Sequence, residues 1–292
     1  MSGPAEGHHS DRGQLGGAGG PRRERRAWSE GPGCPPQRYG FFTDTTLCIG
    51  CKACEVACKE WNDVPDDGLE FLGTSYDNTG GLSADTWRHV AFIEQNLPAG
   101  GGVRWLMSSD VCKHCTHAAC LDVCPTGALF RTEFDTVVVQ DDVCNGCGYC
   151  VPACPFGVID QRKGDGRVWK CTLCYDRLRS GQDPACAKAC PTESIQFGPL
   201  DELRERAARR LNVLEEAGVS DARLYGAGDD DSVGGLGAFF LLLDDPEVYG
   251  LPPDPVVTTR DLRTMWRSAG AAALTLVGAV AAACVAGRGR RP

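Results

Sequence analysis

Cysteine carries the chemistry of this sequence. The 292 residues include 18 cysteines, and all but Cys34 and Cys284 fall into four quartets, which leaves sixteen. Cys48, Cys51, Cys54 and Cys58 are spaced C-x2-C-x2-C-x3-C. Cys112, Cys115, Cys120 and Cys124 follow C-x2-C-x4-C-x3-C, then Pro125. Cys144, Cys147, Cys150 and Cys154 return to the first spacing, then Pro155. Cys171, Cys174, Cys186 and Cys190 follow C-x2-C-x11-C-x3-C, then Pro191. An iron–sulfur cubane needs four thiolates converging on its corners, three from a tight loop and one from elsewhere. In two-cluster ferredoxins the fourth cysteine of each run ligates the other cluster, and proline follows it. The spacing therefore points to [4Fe–4S] clusters in close pairs, and closeness is what electron hopping requires.

Rival chemistries explain less. A zinc ribbon needs two C-x2-C pairs, and the fourth quartet alone would pass for one. It does not account for C-x2-C-x2-C-x3-C-Pro. A disulfide framework would need a secretory signal and usually a smaller chain. A structural zinc-binding scaffold stays as the rival of a different class; it predicts a colourless protein, whereas clusters make it brown. Cys34 and Cys284 lack ligand spacing and read as bystanders. The net charge of −9 argues against a nucleic-acid footprint.

The elements around these cysteines are short. Residues 1–38 are rich in Gly, Pro, Arg and Ser with no apolar period, and are predicted to form a disordered tail. Arg22–Arg23 and Arg25–Arg26 suggest a twin-arginine signal, but no apolar stretch follows them. His8 and His9 stand isolated there. Ala128–Arg131 with Val137–Val139, and Val158–Gln161 with Val168–Lys170, read as small hairpins, and Thr86–Glu94 with Val103–Ser108 as another. Glu55–Trp61 is helix-compatible. Leu203, Ala207, Leu211 and Leu214 predict a surface helix over Leu200–Ala217 closed by Gly218. Ala227–Gly237 reads as a loop, Phe239–Leu243 as a short strand and Pro252–Pro255 as an extended linker.

Ala269–Ala286 has one hydroxyl, Thr275, and no charge. As a helix it would span about 27 Å, close to the ~30 Å hydrocarbon core. Trp266 edges it on one side; Arg288, Arg290 and Arg291 edge it on the other. It is predicted to be a single transmembrane helix, with Gly278 and Ala282 allowing close packing on a partner helix. The C-terminal arginines favour a cytoplasmic C-terminus and a cluster domain on the extracytoplasmic face, against the weaker opposing pull of Arg260, Arg263 and Arg267. Such a domain would travel already folded, carried by a partner bearing a twin-arginine signal.

Several segments resemble the iron–sulfur (beta) subunit of membrane-bound formate dehydrogenases, four-cluster ferredoxin-type subunits of the molybdopterin oxidoreductase superfamily. They are the run Thr43–Asn62 around the first quartet; Cys144-Asn145-Gly146-Cys147-Gly148-Tyr149-Cys150; Tyr175-Asp176-Arg177-Leu178 with Gly181-Gln182-Asp183-Pro184-Ala185-Cys186; and Pro246-Glu247-Val248-Tyr249-Gly250-Leu251-Pro252. The likeness covers about Tyr39 to Arg288. Lys59 stands where a proline follows the other quartets, as in the family's own first motif, and the N-terminal tail has no counterpart there.

The resemblance implies an α+β fold of two nested ferredoxin-like units with four [4Fe–4S] clusters. Residues 39–110 and 156–198 would form the outer unit and 111–155 the inserted one, followed by a helix, loop and linker over 199–268, the transmembrane helix 269–286 and a basic tail 287–292. It implies Cys48, Cys51, Cys54 and Cys190 for cluster 1, and Cys58, Cys171, Cys174 and Cys186 for cluster 2. Cys112, Cys115, Cys120 and Cys154 would hold cluster 3, and Cys124, Cys144, Cys147 and Cys150 cluster 4. It also implies an electron-transfer subunit that is not itself an enzyme. Electrons would pass from a formate-oxidising molybdopterin (Mo or W) alpha subunit to a membrane cytochrome b gamma subunit and quinone. An equivalent subunit of a membrane hydrogenase, or of a polysulfide, tetrathionate or sulfoxide reductase, is the alternative. No catalytic residue is assigned. Lys52, Lys113 and Lys170 adjoin ligands and would raise a cluster's potential, but read first as solvated side chains. Trp61, Tyr149, Phe156 and Trp169 are equally candidates for shielding clusters and for ordinary core packing.

Overall fold

The computed structural model describes residues 37–68, 70–74, 76–97, 102–228 and 233–288. The predicted tail up to residue 36, including Cys34, and the arginines at 290 and 291 lie outside them.

A mixed sheet brings the two ends of the cysteine-rich body together. Its order is β8 (Ile195–Pro199), β1 (Tyr39–Asp44), β10 (Ala238–Leu242), β9 (Arg223–Tyr225). β1 runs parallel to β10 with Phe41 opposite Ala238, and antiparallel to β8 with Phe41 opposite Phe197. These two inner strands are covered on both faces, so Phe-Phe and Phe-Phe-Leu-Leu replace polar alternation. Successive side chains still point to opposite faces. Phe41 packs into the core that contains Cys54, Cys58, Cys112, Cys171 and Cys186, whereas Phe42 joins a separate core with Leu200, Leu203 and Phe239.

Helix α6 (Leu200–Glu216) covers that second face. Leu200, Leu203 and Ala207 form its buried stripe, and each fully buried leucine contributes about 1.5–3 kcal/mol. Two bonds close the helix: Gly218 N–H to Glu215 O at 2.9 Å and Val219 N–H to Leu214 O at 2.9 Å. Gly218 sits at φ +82°, as the expected terminating glycine must. Arg210 ties the helix to β1 through Asp44 at 3.0 Å.

The predicted hairpins form: β2 (Arg88–Asn96) with β3 (Val103–Val111), β4 (Leu129–Arg131) with β5 (Val137–Val139), and β6 (Asp160–Gln161) with β7 (Val168–Trp169). Four short helices carry cysteines: α1 (Ala53–Asn62), α2 (Ala119–Asp122), α3 (Cys150–Ala153) and α5 (Ala185–Ala189). α1 packs against α5, and α2 against α3. A further turn of helix, α4 (Tyr175–Arg179), follows Cys174.

The terminal helix α7 runs Leu262–Arg288, seven residues longer at its start than predicted. Among the described residues it is the one helix long and apolar enough to cross a membrane by length and composition, and none of that stretch is buried against the rest of the protein.

Candidate functional site

Each quartet ends in a C-x3-C pair, and the helices give that spacing its physical meaning. Cys54 and Cys58 lie one turn apart on α1, about 6 Å along its axis, on one buried face. They nevertheless face different neighbours. Cys48, Cys51 and Cys54 share a pocket of about 300 Å³ with Cys190. Cys58 instead meets Cys171, Cys186 and Cys174. The other helices repeat this division. Cys112, Cys115 and Cys120 line a pocket of about 310 Å³ with Cys154 from the end of α3. Cys150, at the start of α3, meets Cys124, Cys144 and Cys147. The sixteen thiols thus converge in four sets, each with three from one run and one from another.

The sets follow one another in a line. Cys54 of the first has Cys186 of the second as a neighbour. Cys171 of the second neighbours Cys112 of the third, and Cys120 of the third neighbours Cys150 of the fourth. The two exposed cysteines of these sets, Cys51 and Cys147, belong to the first and the fourth.

Tight C-x2-C loops make the convergence possible. In the first such loop of each quartet, the second intervening residue has positive φ: Gly50 (+66°), His114 (+44°), Gly146 (+70°) and Leu173 (+57°). Glycine is required at two of them for space as well. A Cβ on Gly50 would stand 2.6 Å from the Phe92 ring, and one on Gly146 would stand 2.3 Å from Gly166 O. His114 and Leu173 bear the cost of a left-handed backbone, about 1–2 kcal/mol each.

The thiols are poised to take a strongly cationic group. Burial pushes Cys48 up to about 11, Cys150 up to about 11 and Cys120 up to about 12, and neighbouring thiols add to each shift. Cys171 is raised further, first by burial and then by Cys112, Cys186 and Cys174. Converging thiolates repel one another in a low-dielectric site, and bound iron removes that penalty by holding them deprotonated. Hydrogen-bond donors already point at sulfur. Leu173 N–H donates to Cys171 Sγ at 3.3 Å, and Asn62 Nδ2 lies 3.7 Å from Cys58 Sγ and 3.8 Å from Cys174 Sγ. Slight burial raises Cys124, but the N–H groups of Leu129, Thr126 and Ala128 and the Thr126 hydroxyl outweigh it and lower the thiol. This donor set fits [4Fe–4S] clusters. A single zinc would need its sulfurs about 2.3 Å from one point, and among the described residues no group of three or more His, Cys, Asp or Glu side chains could hold one metal ion. All the cysteines among the described residues are free thiols.

Two lysines depart from the solvated reading. Lys113 is 1% exposed and Lys170 2%. Lys113 pairs with Asp110, donates to Val111 O at 2.9 Å and lies over the rings of Phe156 and Phe240. Lys170 donates to Val137 O and to Cys171 O at 3.1 Å, between Cys112 and Cys120 of the third set and Cys171 of the second. Both sit where charged neighbours and carbonyls offset the loss of water. Lys52 stays partly exposed and pairs with Glu55 at 2.9 Å and Asp77 at 3.0 Å. Trp61 and Tyr149 are exposed, whereas Phe156 and Trp169 pack against the thiol-bearing core. Cys284 lies exposed on α7, apart from every set.

Sequence reasoning missed Arg88. It is 1% exposed, and its Nη1 donates to Ser109 Oγ at 2.9 Å. Its strongest electrostatic neighbours are Cys186, Cys54, Cys171 and Cys58. Burial alone would lower its proton affinity, and these sulfurs more than reverse that. No motif marks it.

Comparison with known proteins agrees with this chemistry. Two family profiles, each described as a 4Fe-4S dicluster domain, match residues 47–128 and 103–200. The chain is 42% identical over 230 residues to the nitrate-inducible formate dehydrogenase iron-sulfur subunit of Escherichia coli, covering 77% of this sequence and 76% of that one. It is 42% identical over 230 residues to the formate dehydrogenase iron-sulfur subunit of Haemophilus influenzae, covering 77% and 71%. The B subunit of the anaerobic dimethyl sulfoxide reductase of Escherichia coli is 38% identical over 174 residues, covering 58% and 77%. The chain therefore belongs to the family of formate dehydrogenase iron–sulfur subunits, with the related dimethyl sulfoxide reductase subunits beside it, and is an electron-transfer rather than a catalytic subunit.

Proposed function

We propose that this chain is a four-cluster wire for single electrons between a formate-oxidising molybdopterin subunit and a membrane cytochrome b that reduces quinone. The observation that carries it is the line of four thiol sets with an exposed cysteine at each end. Cys48, Cys51, Cys54 and Cys190 hold the first cluster; Cys58, Cys171, Cys174 and Cys186 the second. Cys112, Cys115, Cys120 and Cys154 hold the third; Cys124, Cys144, Cys147 and Cys150 the fourth. Bound clusters supply the one-electron chemistry. The protein's own residues hold them in sequence, exclude water from the middle of the line and aim N–H groups at sulfur.

The same packing supports a nested partition. α1 rests on α5 and α2 on α3, so residues 111–155 form one ferredoxin-like unit set within another built from 39–110 and 156–198. The exposed apolar surface of α7, with Leu274 and Val277 outward, suits a bilayer or the helices of a membrane partner. The terminal arginines favour the extracytoplasmic face for the cluster domain. The resemblance at 42% identity to formate dehydrogenase subunits favours formate as the source of electrons over a sulfur compound.

Iron and acid-labile sulfide measured on anaerobically purified protein test the ligand sets. One iron for each of the sixteen quartet cysteines is expected. A colourless protein, or zinc in place of iron, would overturn the reading. Protease treatment of right-side-out vesicles tests sidedness: a cluster domain protected from digestion contradicts it.

A further inference from the structure

The first and second thiol sets meet at Arg88, a guanidinium with no obvious reason to be buried. It is 1% exposed, and its Nε and Nη2 have no hydrogen-bond partner. Nη1 reaches Ser109 Oγ at 2.9 Å and Ser109 O at 3.3 Å. Ser109 Oγ in turn lies 3.3 Å from Cys54 Sγ. The Phe41 ring stacks against the guanidinium at 4.9 Å. Its strongest electrostatic neighbours are the sulfurs of Cys186, Cys54, Cys171 and Cys58, with no carboxylate among them. An unpaired charge buried in this way costs several kcal/mol, and ordinary core packing would have placed an apolar residue between Phe41 and the cysteines.

We propose that Arg88 is the shared counter-cation of the first and second clusters, raising the reduction potential of both, with Ser109 adding a hydrogen bond to the first. This rests on the four-cluster reading. A cubane with four thiolates carries net negative charge, and each reduction adds one electron and one further negative charge to it. A fixed positive charge at the junction stabilises the reduced form of either neighbour, because net charge and hydrogen bonds to sulfur are what the protein uses to set cluster potential. Arg88 cannot shed its proton near neutral pH, so the effect is constant rather than pH-gated. Ser109 adds its hydrogen bond to the first cluster only: it accepts from Arg88 and can donate its own proton to Cys54 Sγ, and Cys54 belongs to the first set alone. The two free N–H edges of the guanidinium, Nε and Nη2, are donors available to cluster sulfur.

An EPR-monitored redox titration with dithionite of the anaerobically purified full-length protein, together with the subunits that accompany it, tests this. Iron content is read in the same samples. Signals are assigned with Cys51→Ser for the first set and Cys147→Ser for the fourth. In Arg88→Met with full iron, the reduced-to-oxidised ratio of two clusters at fixed solution potential is expected to fall at least tenfold, which for a one-electron couple is about 59 mV. The two clusters include the one that Cys51→Ser disrupts, and the fourth does not move. Ser109→Ala is expected to shift the first cluster alone and by less. Unchanged potentials in Arg88→Met, or a shift in the fourth cluster, overturn the proposal. Should Arg88→Met lose iron, Arg88→Lys decides: full iron with potentials nearer wild type supports a counter-cation, and equal iron loss makes Arg88 a mere brace. Wild-type protein lacking iron would instead overturn the cluster reading itself.

Discussion

The thiol sets at the middle and at the end of the line are built differently. In the second set Cys58, Cys171, Cys174 and Cys186 are all buried; in the fourth only Cys150 is, and Cys147 is exposed. The second set is tempered by side chains, with Arg88 beside it, Lys170 next to Cys171 and Asn62 near two of its sulfurs. The fourth relies on backbone N–H groups around Cys124 and on solvent. A charge sealed from water needs fixed partners, whereas one at the surface is screened by water and salt. In the proposed wire, middle clusters would therefore hold potentials that salt and partner docking do not disturb, and end clusters would be open for exchange with other subunits.

Replacing one ligand at each place would break this contrast most visibly. Cys171→Ser is expected to lose the second cluster, disturb the first, and lower the unfolding temperature of the whole body, because a buried core site is left incomplete. Cys147→Ser is expected to lose the fourth cluster and perturb the third while the sheet and α6 stay folded. Iron content and thermal melts report both, and Cys34→Ser serves as the control with iron unchanged. Iron loss in Cys34→Ser equal to that in Cys147→Ser would undo the ligand sets.

Phe41 offers a test of the buried wall alone. It is fully buried between β8, Arg88 and the thiol-bearing core. Phe41→Ala should cost about 3–5 kcal/mol of stability, read by denaturant unfolding, with the first and second clusters the first to bleach. A cost below about 1 kcal/mol, outside the usual range for such a truncation, would mean that the sheet does not support the site.

Backbone shape at the open end is a smaller lever. Gly146→Ala places a Cβ against Gly166 O at φ +70°, and should cost more than the ~1 kcal/mol that replacing a left-handed glycine usually does. Oxygen-driven bleaching should accelerate at the fourth cluster only.

The smallest effect concerns acid. Burial raises Asp77, but Thr79 N–H, His89 and Lys52 outweigh it and hold the carboxyl below its ordinary value. Its contribution is present above the unfolded carboxylate pKa and lost as pH falls through the depressed folded value. Asp77→Asn should therefore weaken the native protein near neutrality, with the difference shrinking as pH falls below about 4 and vanishing only once pH lies below the depressed folded value. Melting temperatures of the two proteins from acid to neutral pH check it; a constant difference would exclude an electrostatic role.

Cysteine positions, three hairpins, α6 with its glycine and the apolar terminal helix are legible in the sequence because each has a local signature of spacing or period. The sheet is not. β1 and β10 lie almost 200 residues apart in sequence, and β1 is only six residues long; nothing local says that they pair. Lys113 and Lys170 read as solvated because an isolated lysine normally is, and only tertiary structure supplies Asp110, the carbonyls and the sulfurs around them. Arg88 has no motif at all. Its meaning lies in Ser109 and the cysteines, which reach it from β3, α1, α5 and the fourth quartet's loop.

The most direct measurement is to extract the protein anaerobically from membranes with its accompanying subunits, add formate, and follow the visible cluster absorbance. Bleaching by formate, completed by dithionite, is the expected result: the line of clusters accepts electrons from a formate-oxidising partner. Full bleaching by dithionite with none by formate would contradict the formate assignment and place the wire in another oxidoreductase complex.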